Sequence, residues 1–545
     1  MTICSLSARR RDIVAGLRAL CAASAAATPI ATLLATLLAT PLPAQEAPYD
    51  LVLRGGTIVD GTGGATRRAD VGIRGDRIVR IGDLARASSR AVLDVRGRMI
   101  APGFINVHSH ADPRALGTAA NLLTQGVTTV LLNADGGGPV DLQTQLSGIE
   151  TAGSAVNVAA SVPFNSIWSA VVGVRDVRPT DEQIGRMQQL VTAGLEAGGF
   201  GVSAGLDYKP AYFATVDEVN RVLAVAKPWG TFFTNHDRLT PETGFSSVVG
   251  MRETMAIGFA SGMVPVFTHM KLQGRAQGGA RRMLDTMQQE TRQGRWVAAD
   301  VYPYLSGQTA LAQLIIPGWA QDGGIVAMRE RFRDPALRAR IITEANEAIA
   351  ARFTGAAGIQ LNDDGTTLLQ VMEREKIATP GEAVVRVLEQ RMPSAILGFG
   401  AEADLVQLIA DPDVAIACDC DAALPATVSH PRAFGTFPRV LGRYVREQRA
   451  LTWSAAIRKM SWLPASLMGL DDRGQVAEGM RADLVVFDSA TVIDQATFAD
   501  PAAPSRGIEH VLVNGVFAVR DGVVTGTQAG RTLRRTRAMV SRRPR

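Results

Sequence analysis

Residues 99–110 read Met-Ile-Ala-Pro-Gly-Phe-Ile-Asn-Val-His-Ser-His, an apolar run with a Pro-Gly break that ends in two histidines. Such a run is typical of a buried strand, on which residues two apart point to the same side. The imidazoles of His108 and His110 can then reach one metal ion. A single histidine after an apolar run is more often a hydrogen-bonded structural residue, so the interpretation depends on the rest of the chain.

Two more of the six histidines also close short apolar segments. His236 ends residues 230–236, and His269 ends residues 264–269. The carboxyl ends of the strands carry the catalytic groups in a (β/α)8 barrel. Four histidines in this order therefore predict separate strands that converge on one metal site at the mouth of a barrel.

Asp419 ends a further apolar run, residues 414–419. A carboxylate at a strand end can bind metal or act as a general base, although it can equally cap the next helix. Cys418 and Cys420 flank it, and we expect them to be small buried packing residues. With one residue between them a disulfide is sterically unfavourable, and the alternative is a thiolate that joins the metal shell.

The middle of the chain alternates strand-like runs with helical patterns, for example a strand over residues 126–132 and a helix over 181–197. This alternation predicts an α/β fold with parallel strands and crossover helices, closed as a TIM-like (β/α)8 barrel over residues 101–460. Residues 318–378 are mostly helical in pattern and interrupt the rhythm. We interpret them as an insertion that could cover the site.

Both ends of the globular part are rich in strand-like runs separated by glycine turns, at residues 45–100 and 461–530. The pattern predicts a small β-sandwich domain assembled from the two ends.

Residues 1–44 differ in composition from the rest. Arg9, Arg10 and Arg11 precede a long Ala/Leu/Thr-rich stretch with small residues at its end, which is the pattern of an export signal. Arg10 and Arg11 resemble a twin-arginine motif. We therefore expect an exported protein, periplasmic or secreted, without stable membrane insertion after signal cleavage. An uncleaved membrane anchor is the alternative.

The formal net charge of +5 is concentrated at the ends of the chain. Residues 1–44 hold four Arg and one Asp, and residues 531–545 hold seven Arg and no acid, so the remainder carries −5. This balance argues against nucleic acid as a partner of the body of the protein. We expect the Arg-rich tail to be a solvated terminus, or alternatively a contact with anionic lipid or another subunit. The oligomeric state stays open.

Residues 49–535 resemble the amidohydrolase superfamily and, within it, the N-acyl-D-amino-acid deacylases, or D-aminoacylases. The resemblance rests on several motifs besides the His108–His110 pair. They are residues 199–210 (GFGVSAGLDYKP), 268–271 (THMK), 300–304 (DVYPY) and 430–442 (HPRAFGTFPRVLG).

The resemblance implies hydrolysis of the amide bond of an N-acyl amino acid of D configuration, a small-molecule substrate, with one or two divalent metal ions, usually Zn2+. Such an ion polarises the carbonyl and lowers the pKa of water. It further implies that His236 and His269 hold the main ion, that His108 and His110 form an adjacent site, and that Asp419 is the catalytic acid and base.

By the same resemblance a second group of residues binds the substrate. Lys271 and Arg432 match positions that bind its carboxylate, although each could instead form a structural ion pair. Tyr208 matches a tyrosine that donates a hydrogen bond to the scissile carbonyl. Tyr302 and Gln308 complete the predicted substrate-binding set.

The sequence departs from the family at three places. Asp135 stands where the family has a metal-binding cysteine, Gln308 lies where a Ser-rich stretch is usual, and Cys418-Asp419-Cys420 replaces Ser-Asp-Gly. An oxygen ligand is harder than a thiolate, which affects metal preference and number. These changes leave open a dipeptide, a cyclic amide or imide, or a lactone as substrate, and a metal-containing binding protein without catalysis as another class.

Overall fold

Eight short parallel strands form the central barrel in the computed structural model, which describes residues 49–110 and 113–544. Ser109 pairs in parallel with Cys420 and so joins the first strand to the eighth. The third strand is interrupted at Ser161. The strands, in barrel order, are Phe104–Asn106, Val127–Leu132, Asn157–Ala160 with Val162–Pro163, Val202–Gly205, Phe232–His236, Val264–Phe267, Ala298–Val301 and Val414–Ile416. The predicted (β/α)8 barrel is thereby confirmed.

The interior of the barrel is apolar toward the amino ends of its strands. Phe200, Phe232 and Val266 pack there against Leu467 and Met468 of a helix that closes this end. The functional side chains are thus confined to the opposite, carboxyl end, as in other barrels of this type.

Gly103 explains the Pro-Gly break before the first strand. A Cβ at this position would lie 2.2 Å from Thr128 Oγ1 on the second strand. Glycine therefore permits the close approach of the two strands.

Helices follow most barrel strands, and several begin at sequence-encoded caps. Thr180 Oγ1 accepts a hydrogen bond from the Gln183 backbone N–H, and Gln183 Oε1 accepts one from the Thr180 backbone N–H. The helices outside the insertion are Ala120–Leu123, Leu142–Ala152, Phe164–Val171, Asp181–Glu196, Val216–Leu223, Ser247–Ala260, Ala280–Arg292, Glu402–Ala410, Arg432–Arg439, the π-helix Val440–Glu447, Trp453–Met460 and Trp462–Met468.

The segment between the seventh and eighth barrel strands forms an insertion with its own apolar core. We predict helices over 318–378, and the structure has helices there together with a three-stranded antiparallel sheet. Its strands are Ser306–Ala310, Ile359–Leu361 and Ser394–Gly398, and its helices are Leu311–Ile315, Gly318–Gln321, Gly324–Arg333, Pro335–Arg352, Leu368–Glu375 and Pro380–Gln390. The strand Ser306–Ala310 carries Gln308.

Strands from both ends of the described chain join in one nine-stranded sheet, which confirms that the two ends combine. The link is the antiparallel pairing of Met99–Pro102 with Leu484–Phe487. The other strands are Tyr49–Ile58, Arg67–Arg74, Arg77–Gly82, Ser89–Asp94, Ile508–Val513, Val516–Arg520 and Val523–Val524.

The prediction of a solvated Arg-rich tail is wrong for the part around Arg535, although most of the described arginines of the tail are exposed. Arg535 is 3% exposed and donates hydrogen bonds to the carbonyls of Met468, Trp229 and Gly230. Leu533 and Met539 pack on the apolar cluster at the closed end of the barrel. Two features dock the tail on the barrel: the apolar residues that lie between its arginines, and the carbonyl groups that accept hydrogen bonds from Arg535. The composition of the tail alone indicates a solvated segment.

The predicted export signal, residues 1–44, lies outside the described residues. Within residues 49–110 and 113–544, every helix is too short or too polar to cross a membrane.

Candidate metal centre

Four histidines surround one carboxylate at the mouth of the barrel. Asp135 Oδ2 lies 3.6 Å from His108 Nε2, 3.6 Å from His110 Nε2, 3.8 Å from His236 Nδ1 and 3.5 Å from His269 Nε2. The structure therefore brings the five predicted metal ligands together.

Left-handed backbone at two of these residues directs their side chains toward the centre of the cluster. Asp135 follows the second barrel strand with a φ of +52°, and His269 follows the sixth with a φ of +36°. Left-handed backbone is rare outside glycine, although Asp adopts it more readily than most residues. Such strain at a strand end is typical of functional sites.

The possible ligands fall into two groups that share Asp135. One comprises His108, His110, Asp135 and Asp419, and the other comprises Asp135, His236 and His269, with the ligand atoms of each group within 4.8 Å of one another. In the described part of the chain, the buried atoms His108 Nε2 and His236 Nδ1 have no hydrogen-bond partner. Leaving buried polar atoms unpaired is costly, and imidazole nitrogen with carboxylate oxygen suits zinc. The residues thus fit one or two divalent ions.

Burial and neighbouring charges together shift the pKa values of Asp135 and His269. Burial alone raises the pKa of Asp135, but the charges of His108 and His269 hold it well below its usual range. Burial lowers the pKa of His269 well below normal, and nearby Lys271 lowers it further. A dense mixture of buried acids and bases is characteristic of catalytic sites.

Asp419 connects the metal-binding groups to a cation. Its Oδ2 accepts a hydrogen bond from Arg432 Nη1 at 2.5 Å, and its Oδ1 lies 3.2 Å from His110 Nε2 and 3.4 Å from His108 Nε2. Burial raises the pKa of Asp419, but Arg432 and His108 outweigh it and hold the pKa well below the usual value. The carboxylate is therefore ionised, with Oδ1 directed at the histidine pair.

Our expectation that Cys418 and Cys420 do not pair is wrong, because the structure joins them in a disulfide. On a regular strand, residues two apart are separated by about 6.6 Å. The left-handed φ of +49° at Asp419 bends the chain and brings the two Cα atoms to 5.0 Å, well inside the range that a disulfide spans, whereas the spacing of a regular strand lies near its upper limit. The pairing also removes both thiols as metal ligands.

A cavity of about 440 Å³ opens beside these groups. Tyr208, Gln308 and Arg432 line it together with His110, Asp135 and Asp419. Lys271 and Tyr302 instead line a small adjoining cavity. In the small cavity, Lys271 Nζ lies 2.7 Å from His269 Nδ1. The Tyr302 ring is close to the larger cavity as well, because its centre lies 5.0 Å from the Arg432 guanidinium.

Tyr208 lies against one of the histidines, with its ring centre 4.4 Å from that of His236. Burial and the charge of Asp135 raise the pKa of Tyr208 well above its usual value. The phenol therefore stays protonated and can donate a hydrogen bond.

Two buried carboxylates near the histidines were not among the predicted site residues. Asp300 Oδ2 lies 3.6 Å from His108 Nδ1, and Asp300 Oδ1 accepts the His269 backbone N–H at 2.7 Å. Asp207 Oδ2 lies 3.9 Å from His236 Nε2. Both residues lie at or just after the carboxyl end of a barrel strand, and that position was the available signal.

A buried histidine outside the cluster was also missed. His430 Nδ1 accepts the Arg432 backbone N–H at 3.1 Å, so its Nε2 donates to the carbonyl of Ser306 at 3.0 Å. His430 therefore connects the start of helix Arg432–Arg439 to the first strand of the insertion.

Comparison with known proteins places the chain in a family. The Amidohydrolase family matches residues 326–519. D-aminoacylase of Alcaligenes xylosoxydans xylosoxydans is 33% identical over 518 residues, which cover 90% of this chain and 99% of that protein.

Two related crystal structures extend the comparison. A D-aminoacylase structure, described with a binuclear metal centre, is 31% identical with a TM-score of 0.76, covering 90% of this chain and 100% of that one. N-acyl-D-glutamate deacylase from Bordetella bronchiseptica, complexed with zinc and a phosphonate inhibitor, is 29% identical with a TM-score of 0.75 and the same coverage. The chain therefore belongs to the amidohydrolase family and is a metal-dependent amidohydrolase related to the D-aminoacylases.

Proposed function

We propose that the protein hydrolyses the amide bond of N-acyl amino acids of D configuration, with His108, His110, Asp135, His236 and His269 as metal ligands. The observation that carries the proposal is the position of Asp419, held between Arg432 and the His108–His110 pair on the wall of the cavity. A base and a carboxylate-binding cation thus lie side by side. The related proteins named above support the substrate class.

Asp419 and Tyr208 have different roles in the proposed hydrolysis. A divalent ion, when bound, would polarise the amide carbonyl and make water more acidic. Asp419 Oδ1 takes the proton of the attacking water and returns it to the leaving nitrogen. The Tyr208 hydroxyl donates to the carbonyl oxygen as negative charge develops there.

One cation on the cavity wall favours this substrate over a cyclic amide. Among the described residues that line the cavity, Arg432 is the one Lys or Arg side chain. An N-acyl amino acid has a free carboxylate for such a cation, whereas a cyclic amide, imide or lactone without a carboxylate has none.

The first test measures the metal content of the purified chain together with amine release from N-acetyl-D-methionine and N-acetyl-L-methionine. We expect at least one divalent ion per chain and faster release from the D isomer. Hydrolysis of a cyclic amide but of neither methionine derivative would contradict the proposal.

A second prediction concerns the catalytic carboxylate. Asp419→Asn keeps the size of the side chain but removes the base, so kcat should fall by about 10²–10⁴-fold. Thermal unfolding serves as the control and should show a folded protein. Retention of full kcat in this variant would exclude Asp419 as the base.

We also propose that the protein is exported to the periplasm or beyond. The Arg10-Arg11 signal pattern supports this, and the Cys418–Cys420 disulfide suits an oxidising compartment. Fractionation of producing cells should find the protein outside the cytoplasm, and the double variant R10K/R11K should accumulate inside. Equal cytoplasmic retention of both proteins would refute export.

A further inference from the structure

A buried ion pair joins the insertion to the mouth of the barrel. Arg352, the last residue of helix Pro335–Arg352, is 2% exposed, and Asp207, just after the fourth barrel strand, is 1% exposed. Arg352 Nη2 donates to Asp207 Oδ2 at 2.5 Å. Arg352 Nε also donates to Gln273 Oε1 at 2.8 Å, and Nη1 donates to the Leu314 carbonyl at 3.4 Å. The guanidinium is thus fixed from several sides.

The carboxylate of this pair faces a candidate metal ligand. Asp207 Oδ2 lies 3.9 Å from His236 Nε2, whereas His236 Nδ1 lies 3.8 Å from Asp135 Oδ2. The imidazole therefore lies between two carboxylates, with one nitrogen toward each. At 3.9 Å the contact is longer than a hydrogen bond, so the charge of Asp207 orients the imidazole ring, as carboxylates behind metal-binding histidines do.

The orientation of Asp207 in turn depends on the insertion. Its Oδ1 accepts the Leu239 N–H at 3.2 Å, but its charge is balanced chiefly by Arg352, which the insertion supplies. Removing Arg352 would leave Asp207 buried with a weaker set of partners, because a buried charge is costly without its counter-ion.

We propose that Arg352 is a positioning residue that acts through Asp207 to orient His236, so that docking of the insertion and metal binding by Asp135, His236 and His269 are coupled. The coupling concerns the metal centre and does not depend on which amide is hydrolysed. Because thermodynamic coupling is reciprocal, metal binding also holds the insertion in place.

Zinc affinity tests the first half of the proposal. Competition with a chromophoric chelator would be measured for the full chain, for Arg352→Met and for Arg352→Lys. We expect one zinc ion per chain to bind about 10–100-fold more weakly in R352M, and R352K, which keeps the charge, to recover part of the loss. Wild-type affinity in R352M would overturn the proposal.

Arg338→Met is the matched control. Arg338 lies on the same helix and pairs with Glu389 of the insertion, away from Asp207. We expect R338M to bind zinc like the wild type, and an equal loss in R338M would show that any loosening of the insertion suffices. If R352M does not fold, the double variant D207N/R352M removes both charges, and wild-type zinc affinity in it would also refute the proposal.

Hydrogen exchange tests the reciprocal half. We expect the amides of residues 335–352 to exchange more slowly when zinc is present in the wild type, and the effect of zinc to be lost in Asp207→Asn. Exchange in the wild type that does not respond to zinc would contradict the coupling.

Discussion

At the scale of single residues, Asp135 lies close to all four histidines of the site. One of its oxygens lies within 3.8 Å of a nitrogen of each of four histidines, and both possible metal groups include it. With a carboxylate at this position, the candidate ligand groups contain nitrogen and oxygen atoms only. Such a set shifts metal preference away from soft ions.

Asp135→Asn is therefore expected to lower the metal content of both groups, because it removes the shared anion. His110→Asn, in contrast, changes a residue of one group and should leave the ion held by His236 and His269. Metal analysis after dialysis distinguishes the two variants. Loss of the same number of ions from both would contradict a shared role for Asp135.

At the scale of elements, the sequence indicates the ends of strands better than it indicates contacts between distant segments. His108, His236, His269 and Asp419 were predicted because each follows an apolar run, and strand ends of a barrel converge. Arg352 gave no such signal, since its role depends on how the insertion docks. The disulfide depends on the left-handed turn at Asp419, which no residue pattern there indicates.

The Arg-rich tail, residues 531–545, is docked on the barrel although its composition indicates a solvated segment. Its removal tests how much this docking contributes to stability. Deletion of residues 531–545 exposes the apolar cluster at the closed end of the barrel and removes the hydrogen bonds of Arg535. We expect the melting temperature to fall by several degrees or more.

Replacement of Arg542, whose side chain is exposed, by Gln is the control for loss of charge alone. The control should melt close to the wild type. A deletion variant with an unchanged melting temperature would show that the docked tail contributes little to stability.

At the scale of the whole molecule, one buried lysine opposes folding in a pH-dependent way. Lys459 is 2% exposed, and burial lowers its pKa from 10.5 to about 7. Below pH 7 the folded protein must keep this ammonium charged and buried. Between pH 7 and 10.5 the unfolded chain binds a proton that the folded chain does not, so this contribution to stability rises with pH.

Lys459→Met should therefore raise the free energy of unfolding more at pH 6 than at pH 9. The measurement is urea unfolding at both values, with the exposed Lys227→Met as a control that shows no such difference. A gain that is independent of pH would show that Lys459 keeps its proton in the folded protein across this range, as a solvated lysine does.

The pairing of Met99–Pro102 with Leu484–Phe487 ties the chain near both its ends. Everything between those two strands forms one large loop whose base is closed by backbone hydrogen bonds. A protease that cuts an exposed turn of the insertion would therefore produce two fragments that remain associated, each contributing strands to the same sheet and to the same barrel. Nicked protein should migrate as an intact particle in native gels and separate into fragments only in denaturant.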